Sequence, residues 1–308
     1  MKSNPVIFVV GPTGVGKSGF ALEAAKAVNG VILNCDSVQT YKDLDIGTAK
    51  PSKEEQSQVP HFLFDAVQPG EVLTAGDFRR LALPVLAAQI PKHPVFAVGG
   101  SGFYIQALDK GMFEIEKVES EKEAAIRKQL EERPLKDLYQ ELEKVDPESA
   151  DDLNPNDSYR IQRALIIFHG LGRKLSELKK EFQPQKLPYP VIKIGFTMER
   201  KKLRERIELR AKQMLEAGLI EEVKALVEKG YKDWPLLQSV GYKQVLQYFD
   251  GELSESELSS EITLRTVQLS KRQMTWFQRD KEIQWFDLSQ PGVRKEALDH
   301  LYKVVTTL

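Results

Sequence analysis

Val6-Ile7-Phe8-Val9-Val10-Gly11-Pro12-Thr13-Gly14-Val15-Gly16-Lys17-Ser18 is the stretch whose reading decides the fold. Five apolar residues run into a glycine-rich turn, and Ser18 to Val28 continues as a helix-forming segment. An all-apolar, valine-rich run of this length suits a strand buried on both faces of a parallel sheet. The turn fits G-x-x-x-x-G-K-[ST] in the strand-loop-helix setting that gives the pattern its meaning. Its glycines let successive N–H groups converge on phosphate oxygens, the helix N-terminus adds partial positive charge, and Lys17 adds a full one. Gly11, Pro12, Thr13, Gly14, Val15, Gly16, Lys17 and Ser18 are therefore the expected diphosphate-binding loop, with the Ser18 hydroxyl placed to hold Mg²⁺. A flexible glycine turn is the alternative. The pattern specifies a diphosphate and a metal, and leaves the rest of the ligand open.

Outward from this loop, Val31 to Cys35, His61 to Ala66, Val95 to Val98, Val191 to Phe196 and Ile283 to Phe286 read as further strands. Strands alternating with helical segments predict an α/β fold, a P-loop NTPase-like parallel sheet with helices on both faces. Between Glu114 and Asp152 the pattern changes to 14 acidic against seven basic residues, rich in Glu, Lys, Leu and Ala, as in exposed helices. The proline-rich stretch Gln183 to Pro190 stops helices and marks the exit. The expected organisation is a catalytic core in two pieces, 1–112 and 189–308, around an all-helical insertion, 113–188. Ser254 and Glu257 stand at capping-box spacing ahead of a helix near the C-terminus.

With 308 residues, 41% hydrophobic and 29% charged, the chain is long enough for a sizeable core in one or two domains. Its net charge of −1 excludes a wholly basic nucleic-acid coat. The charge is nevertheless segregated: Lys193 to Lys212 carries a net +5 and Arg265 to Lys281 a net +4, against −7 for Glu114 to Asp152. No apolar run approaches the 18 or so residues that span a bilayer, and the few apolar residues before Gly11 are too short for a secretory segment. A single cysteine, Cys35, permits no internal disulfide and fits a reducing compartment. The expectation is a cytoplasmic protein with no membrane contact. His61, His93, His169 and His300 show no metal-ligand spacing.

Asp36-Ser37-Val38-Gln39-Thr40-Tyr41 follows the second strand, and strand ends in a parallel sheet share one crevice, so Asp36 is expected to face the Gly11 to Ser18 loop. GPTGVGKS, DSVQTY, DIGTAKP (Asp45 to Pro51), GGSGFYIQAL (Gly99 to Leu108), SVGYKQ (Ser239 to Gln244) and KRQMTWF (Lys271 to Phe277) together resemble the tRNA dimethylallyltransferase, or tRNA isopentenyltransferase, family. The blocks extend over most of the chain, and DSxQxY with DIGTAKP discriminates far better than the phosphate loop alone. The resemblance implies transfer of a five-carbon prenyl group from dimethylallyl diphosphate to N6 of the adenine 3′ of the anticodon in tRNA, with release of diphosphate.

The residues fit that chemistry. Breaking an allylic C–O bond develops negative charge on the leaving diphosphate, which loop N–H groups, Lys17 and Mg²⁺ stabilise most in the transition state. An aromatic amine is a poor nucleophile, so Asp36 is the expected general base, with a capping or metal-supporting role as the alternative. Thr13 is expected to meet the bridging oxygen or the amine. Reaching N6 requires an extruded base, and Asp36, Ser37, Val38 and Gln39 follow into the crevice, where Gln39 is suited to a base edge. Ser101 stands where the family commonly has threonine and keeps the hydroxyl.

Asp157 is the expected N-cap of a helix carrying Arg160, Ile161, Gln162, Arg163 and Ala164, which the resemblance sets against the RNA. Arg160 and Arg163 share a helical face and suit phosphates, or else are solvated surface charges. Arg206 and Arg210, spaced i, i+4, are expected to clamp the diphosphate, with salt bridges to Glu205 and Glu208 as the rival reading. A small-molecule or nucleoside kinase accounts for Gly11 to Ser18 but leaves Asp36 to Pro51 and the basic segments unexplained. A GTP-dependent RNA-binding module calls for an N-K-x-D guanine-reading motif, which the sequence lacks.

Overall fold

The computed structural model describes residues 3–112, 116 and 118–307. Residues 113–115 and 117, where the sequence reading begins the insertion, lie outside the described residues. The chain divides into two compact units, Met1–Lys110 with Lys186–Leu308, and Gly111–Gln185. The first unit begins β1 (Val6–Val10), α1 (Lys17–Ala27), β2 (Val31–Asn34), α2 (Lys53–Gln58), β3 (His61–Phe62), α3 (Ala75–Gln89), β4 (Val95–Val98) and α4 (Gly102–Lys110). The second holds α5 (Ser120–Glu131), α6 (Leu135–Val145), α7 (Pro147–Asp151), α8 (Ser158–Leu171) and α9 (Leu175–Glu181). The first resumes with β5 (Val191–Thr197), α10 (Arg200–Glu216), α11 (Leu219–Glu228), a 3₁₀ turn (Pro235–Gln238), α12 (Tyr242–Phe249), α13 (Glu255–Phe277), β6 (Gln284–Asp287) and α14 (Val293–Thr307).

Every strand pairing is parallel, in the order β3-β2-β4-β1-β5-β6. β1 is central, with Val6 opposite both Val95 and Val191, and all five of its residues are buried. Strand alternation sorts its side chains. Val6, Phe8 and Val10 pack with Phe78, Leu86, Tyr104 and Leu108 of α3 and α4. Ile7 and Val9 pack on the opposite face with Phe20, Ala24, Ile207 and Leu301 from α1, α10 and α14. A third cluster, built on Tyr41, Leu44, Met214, Leu219, Tyr242 and Ile262, binds α10 to α13 to the loop after β2.

Cap chemistry sets several helix starts. Ser52 with Glu55 and Thr74 with Asp77 form reciprocal capping boxes, and at the start of α13 the Glu257 carboxylate accepts both the N–H and the hydroxyl of Ser254, at 2.8 and 2.6 Å. The predicted strand His61 to Ala66 is shorter than expected because Leu63 and Asp65 adopt φ of 62° and 52°, a left-handed conformation that ends the ladder after Phe62.

In the second unit, Leu138 and Leu142 of α6 pack with Ile161, Ala164 and Leu165 of α8. Buried Asp146 accepts the N–H groups of Ser149 at 3.2 Å and Ser176 at 3.0 Å, joining the starts of α7 and α9 through one carboxylate. These hydrogen bonds hold its pKa below the ordinary value despite the opposing effect of burial.

Candidate active site

The Gly11 to Ser18 turn leaves the C-terminal end of β1, with Gly11, Gly14 and Gly16 at φ of 141°, 82° and 106°. Those angles exclude ordinary side chains, and Gly16 N-caps α1. Lys17 Nζ curls back to donate to the Pro12 carbonyl at 2.9 Å. Two arginines one turn apart on α10 reach the same loop. A methyl group on Gly16 would lie 3.4 Å from the Arg206 guanidinium. Arg210 donates to Thr13 Oγ1 at 3.4 Å and to the Thr48 carbonyl at 3.2 Å. Burial pulls the Lys17 pKa down to about 8; Asp36 opposes that shift and Arg210 adds to it. Burial also lowers the pKa of Arg210, with Asp36 again in opposition. The cradle is thus a desolvated concentration of positive charge, suited to an anion.

Asp36 comes from the β2 end. Since β4 lies between β2 and β1, Asp36 stands across the β4 end from the loop. Its own N–H donates to Asn34 Oδ1 at 2.9 Å, and its Oδ1 accepts the Val38 N–H at 3.1 Å. The turn is therefore fixed and one carboxylate oxygen carries the local cap. Beside it the Ser37 N–H donates to Ser101 Oγ at 2.8 Å, and the two serine hydroxyls meet at 3.0 Å. Gln39 Nε2 donates to the Thr48 and Ala49 carbonyls at 3.0 and 3.2 Å, so its amide nitrogen is already tied to the 45–50 loop.

Thr13, Lys17, Asp36, Gln39, Thr48 and Arg210 line a single cavity of about 440 Å³, to which Ser18, Arg206 and His61 also contribute. Ser18 brings a hydroxyl oxygen to the cavity, a donor of the hard kind that Mg²⁺ takes. A cluster of three carboxylates away from the cavity, Asp109, Asp280 and Glu282, already surrounds a cation. Lys193 Nζ lies 2.6, 2.9 and 2.6 Å from those three side chains.

Several sequence expectations change. Pro12 has no N–H and supplies a carbonyl to Lys17, so it does not bind an anion directly. The Val15 side chain is buried, leaving only its backbone to the loop's ligand. Ile161 and Ala164 are 0% and 1% exposed within the core of the second unit, which removes their side chains from any RNA contact. On α8 Asp157 caps the helix as expected, accepting the Arg160 N–H at 3.2 Å. Gln162 is half-buried. The Arg160 guanidinium lies 3.3 Å from Asp157, and that of Arg163 lies 3.4 Å from Glu123. Glu208 pairs with Lys212 at 2.9 Å and not with Arg206 or Arg210, as the rival salt-bridge reading required. Tyr104 is stacked on Phe78 inside the core, ring centroids 4.2 Å apart.

Sequence reasoning missed Gln273. From α13 its Oε1 accepts the Thr13 N–H at 2.8 Å while its Nε2 donates to the Gly100 carbonyl at 3.0 Å, joining the phosphate loop to the β4 end. A methyl group on Gly100 would lie 2.5 Å from Gln273 Nε2, so glycine there permits the approach. Within KRQMTWF, Gln273 is the residue that reaches the phosphate loop.

A parallel sheet with a phosphate-binding loop on its central strand, a facing aspartate and a pair of arginines defines a P-loop transferase of the α/β class. The chain matches the family model described as IPP transferase over residues 39–280, and it belongs to that family. It is 49% identical over 290 residues to the tRNA dimethylallyltransferase of Bdellovibrio bacteriovorus, covering 93% of this chain and 94% of that one. The crystal structure of the full-length tRNA isopentenylpyrophosphate transferase of Bacillus halodurans is 32% identical, with TM-score 0.71 and coverage of 99% and 97%. A eukaryotic dimethylallyltransferase, solved acting on tRNA, is 28% identical with TM-score 0.82, covering 99% of this chain and 80% of the other.

Proposed function

We propose that this protein transfers the dimethylallyl group of dimethylallyl diphosphate to N6 of the adenine immediately 3′ of the anticodon in tRNA. The observation that carries the reading is that Lys17, Arg210 and Asp36 line one cavity, cations toward the phosphate loop and the carboxylate on the side of the β2 end. The N–H groups of Gly14 to Ser18, with Lys17, Arg206 and Arg210, hold the diphosphate. The adenine, extruded from the anticodon loop, enters beside Asp36, with Ser37, Val38, Gln39 and Ser101 around it.

N6 attacks C1 of the dimethylallyl group as the C1–O bond breaks, and the bond's electron pair leaves on the bridging oxygen of the diphosphate. Asp36 accepts the proton that N6 releases, and Thr13 orients the bridging oxygen. The cradle's positive charge meets negative charge that grows as the bond lengthens, so it lowers the barrier rather than merely tightening binding. Mg²⁺, held through Ser18, would neutralise part of the diphosphate charge. On α8, Arg160 and Arg163 exchange their ion pairs for tRNA phosphates. Acting on tRNA gives the protein a cytoplasmic role, and no helix among the described residues is long and apolar enough to cross a membrane.

A kinase on the same sheet leaves the Asp36 to Gln39 turn, the 45–50 loop and the family membership without a purpose. The discriminating experiment supplies Mg²⁺, isotopically labelled dimethylallyl diphosphate and unmodified tRNA. Label is expected in the adenosine 3′ of the anticodon; phosphoryl transfer from ATP with unlabelled RNA would favour the kinase.

A further inference from the structure

The 45–50 loop, which carries most of the DIGTAKP block, holds two residues of the cavity through a backbone carbonyl. Thr48 O accepts Arg210 at 3.2 Å and Gln39 Nε2 at 3.0 Å. The conformation of this loop is imposed from α11. Three consecutive N–H groups converge on the Glu222 carboxylate: those of Asp45 and Ile46 on Oε2 at 3.1 and 2.7 Å, and that of Gly47 on Oε1 at 3.2 Å. The Tyr242 hydroxyl donates to the same Oε1 at 2.6 Å. Each carboxylate oxygen therefore takes two donors, in an anion nest closed by a side chain 175 or more residues away in sequence. Glycine is required at position 47, because a methyl group there would lie 2.5 Å from the Tyr242 ring.

We propose that Glu222 is a positioning residue for the donor diphosphate: by filling the 45–47 nest it sets Thr48 O, and through Thr48 O it aims the Arg210 guanidinium at the phosphate loop. The proposal rests on the reading of Arg210 as a diphosphate ligand. The connection is continuous in hydrogen bonds, from Glu222 to the 45–47 amides, along two residues of backbone to Thr48 O, and from Arg210 to Thr13 Oγ1 at 3.4 Å. Glutamine cannot replace glutamate here. It offers one acceptor oxygen and turns an NH₂ group toward N–H donors, so part of the nest opens. Tyr242→Phe removes one of the four donors and leaves the ring packed on Gly47.

The test is a double-mutant cycle read on the KM for dimethylallyl diphosphate, on kcat, on the KM for tRNA and on thermal unfolding. Glu222→Gln is expected to raise the donor KM about tenfold while kcat and the tRNA KM stay within about threefold, and Tyr242→Phe is expected to cause a smaller rise of the same kind. In an Arg210→Ala background, Glu222→Gln is expected to add no further rise. A full additional rise in that background, or a lowered melting temperature with an unchanged donor KM, would overturn the proposal. Should Glu222→Gln fail to fold, Tyr242→Phe carries the same cycle with the same criteria. Binding of inorganic pyrophosphate, measured on the same proteins, reads the cycle without prenyl transfer. A wild-type protein that binds pyrophosphate but transfers no prenyl group would therefore sink the proposed activity and leave the role of Glu222 to be decided on its own.

Discussion

Gln273 Oε1 accepts the backbone N–H of Thr13 at 2.8 Å, a contact between residues 260 positions apart that fixes the phosphate loop from the far end of the chain. Its other amide atom holds the Gly100 carbonyl, so a single side chain ties together the loops that follow β1 and β4. Gln273→Ala leaves two half-buried backbone groups without that partner, at about 1–3 kcal/mol of stability. It also lets the loop drift, and small misplacements of reacting groups are costly. The expected outcome is a fall in kcat/KM for the donor of about tenfold to a hundredfold, measured beside a urea titration. Full activity in a destabilised protein would reduce Gln273 to a structural tie.

Lys17 links donor binding to pH. Its pKa in the folded protein, about 8, lies below the ordinary lysine value of 10.5. Between those values the native state binds fewer protons than the unfolded one, so this group's penalty on stability is present below about pH 8 and is relieved as pH rises through it. That relief is complete only as pH approaches the ordinary value of 10.5. A bound diphosphate favours the cation again. Calorimetry with dimethylallyl diphosphate, without tRNA and in buffers of different ionisation enthalpy, should therefore show little proton uptake at about pH 7. At about pH 9 uptake should approach one proton and affinity should be weaker. Lys17→Met should abolish that uptake; equal heats in every buffer at about pH 9 for the wild type would contradict the assignment.

Buried Lys193 is the counter-charge for three carboxylates, and those hydrogen bonds, opposing burial, hold its pKa above the ordinary value. Its side chain is 4% exposed and that of Asp109 11%. Lys193→Met strands the Asp109 carboxylate, an expected loss of about 3–5 kcal/mol, since removing one partner of a buried pair leaves an uncompensated charge. Asp109→Asn added to Lys193→Met should recover part of it. Chemical denaturation decides, and a loss under about 1 kcal/mol would show that water reaches the cluster.

The phosphate loop, the parallel sheet and the caps at Ser254 and Asp157 are legible in the sequence because each depends on neighbours within a few positions. All-apolar runs give strands, and oxygen side chains spaced three from an acid give helix starts. Ties such as Gln273 to Thr13 and Glu222 to the 45–47 amides are set by which helices the sheet brings together, and a single sequence carries no mark of that. Position also misled at Ile161 and Ala164. The resemblance set the whole segment against RNA, whereas helical periodicity turns these two side chains into the core of their own unit. The strand from His61 overran for a different reason: positive φ at Leu63 and Asp65 is a tertiary outcome, since neither is glycine.

Arg160 and Arg163 test the RNA-facing reading of α8. Side-chain exposures of 53% and 35% leave both guanidinium groups accessible beside their acidic partners. If each contacts a tRNA phosphate, each substitution to Ala should reduce the slope of log affinity against log salt by about one and weaken all tRNA substrates alike. Affinity and slope equal to wild type would remove the residue from the interface.

The central claim is that the Gly11 to Ser18 loop holds a departing diphosphate while Asp36 takes the proton from the attacking amine. Single-turnover prenyl transfer by Asp36→Asn, with donor affinity measured on the same preparation, tests it most directly. Transfer should fall by about 10²–10⁴-fold while the donor Kd stays within about threefold of wild type. Undiminished transfer would contradict the claim, and so would loss of donor binding, because Asp36 would then belong to the diphosphate site rather than to the amine.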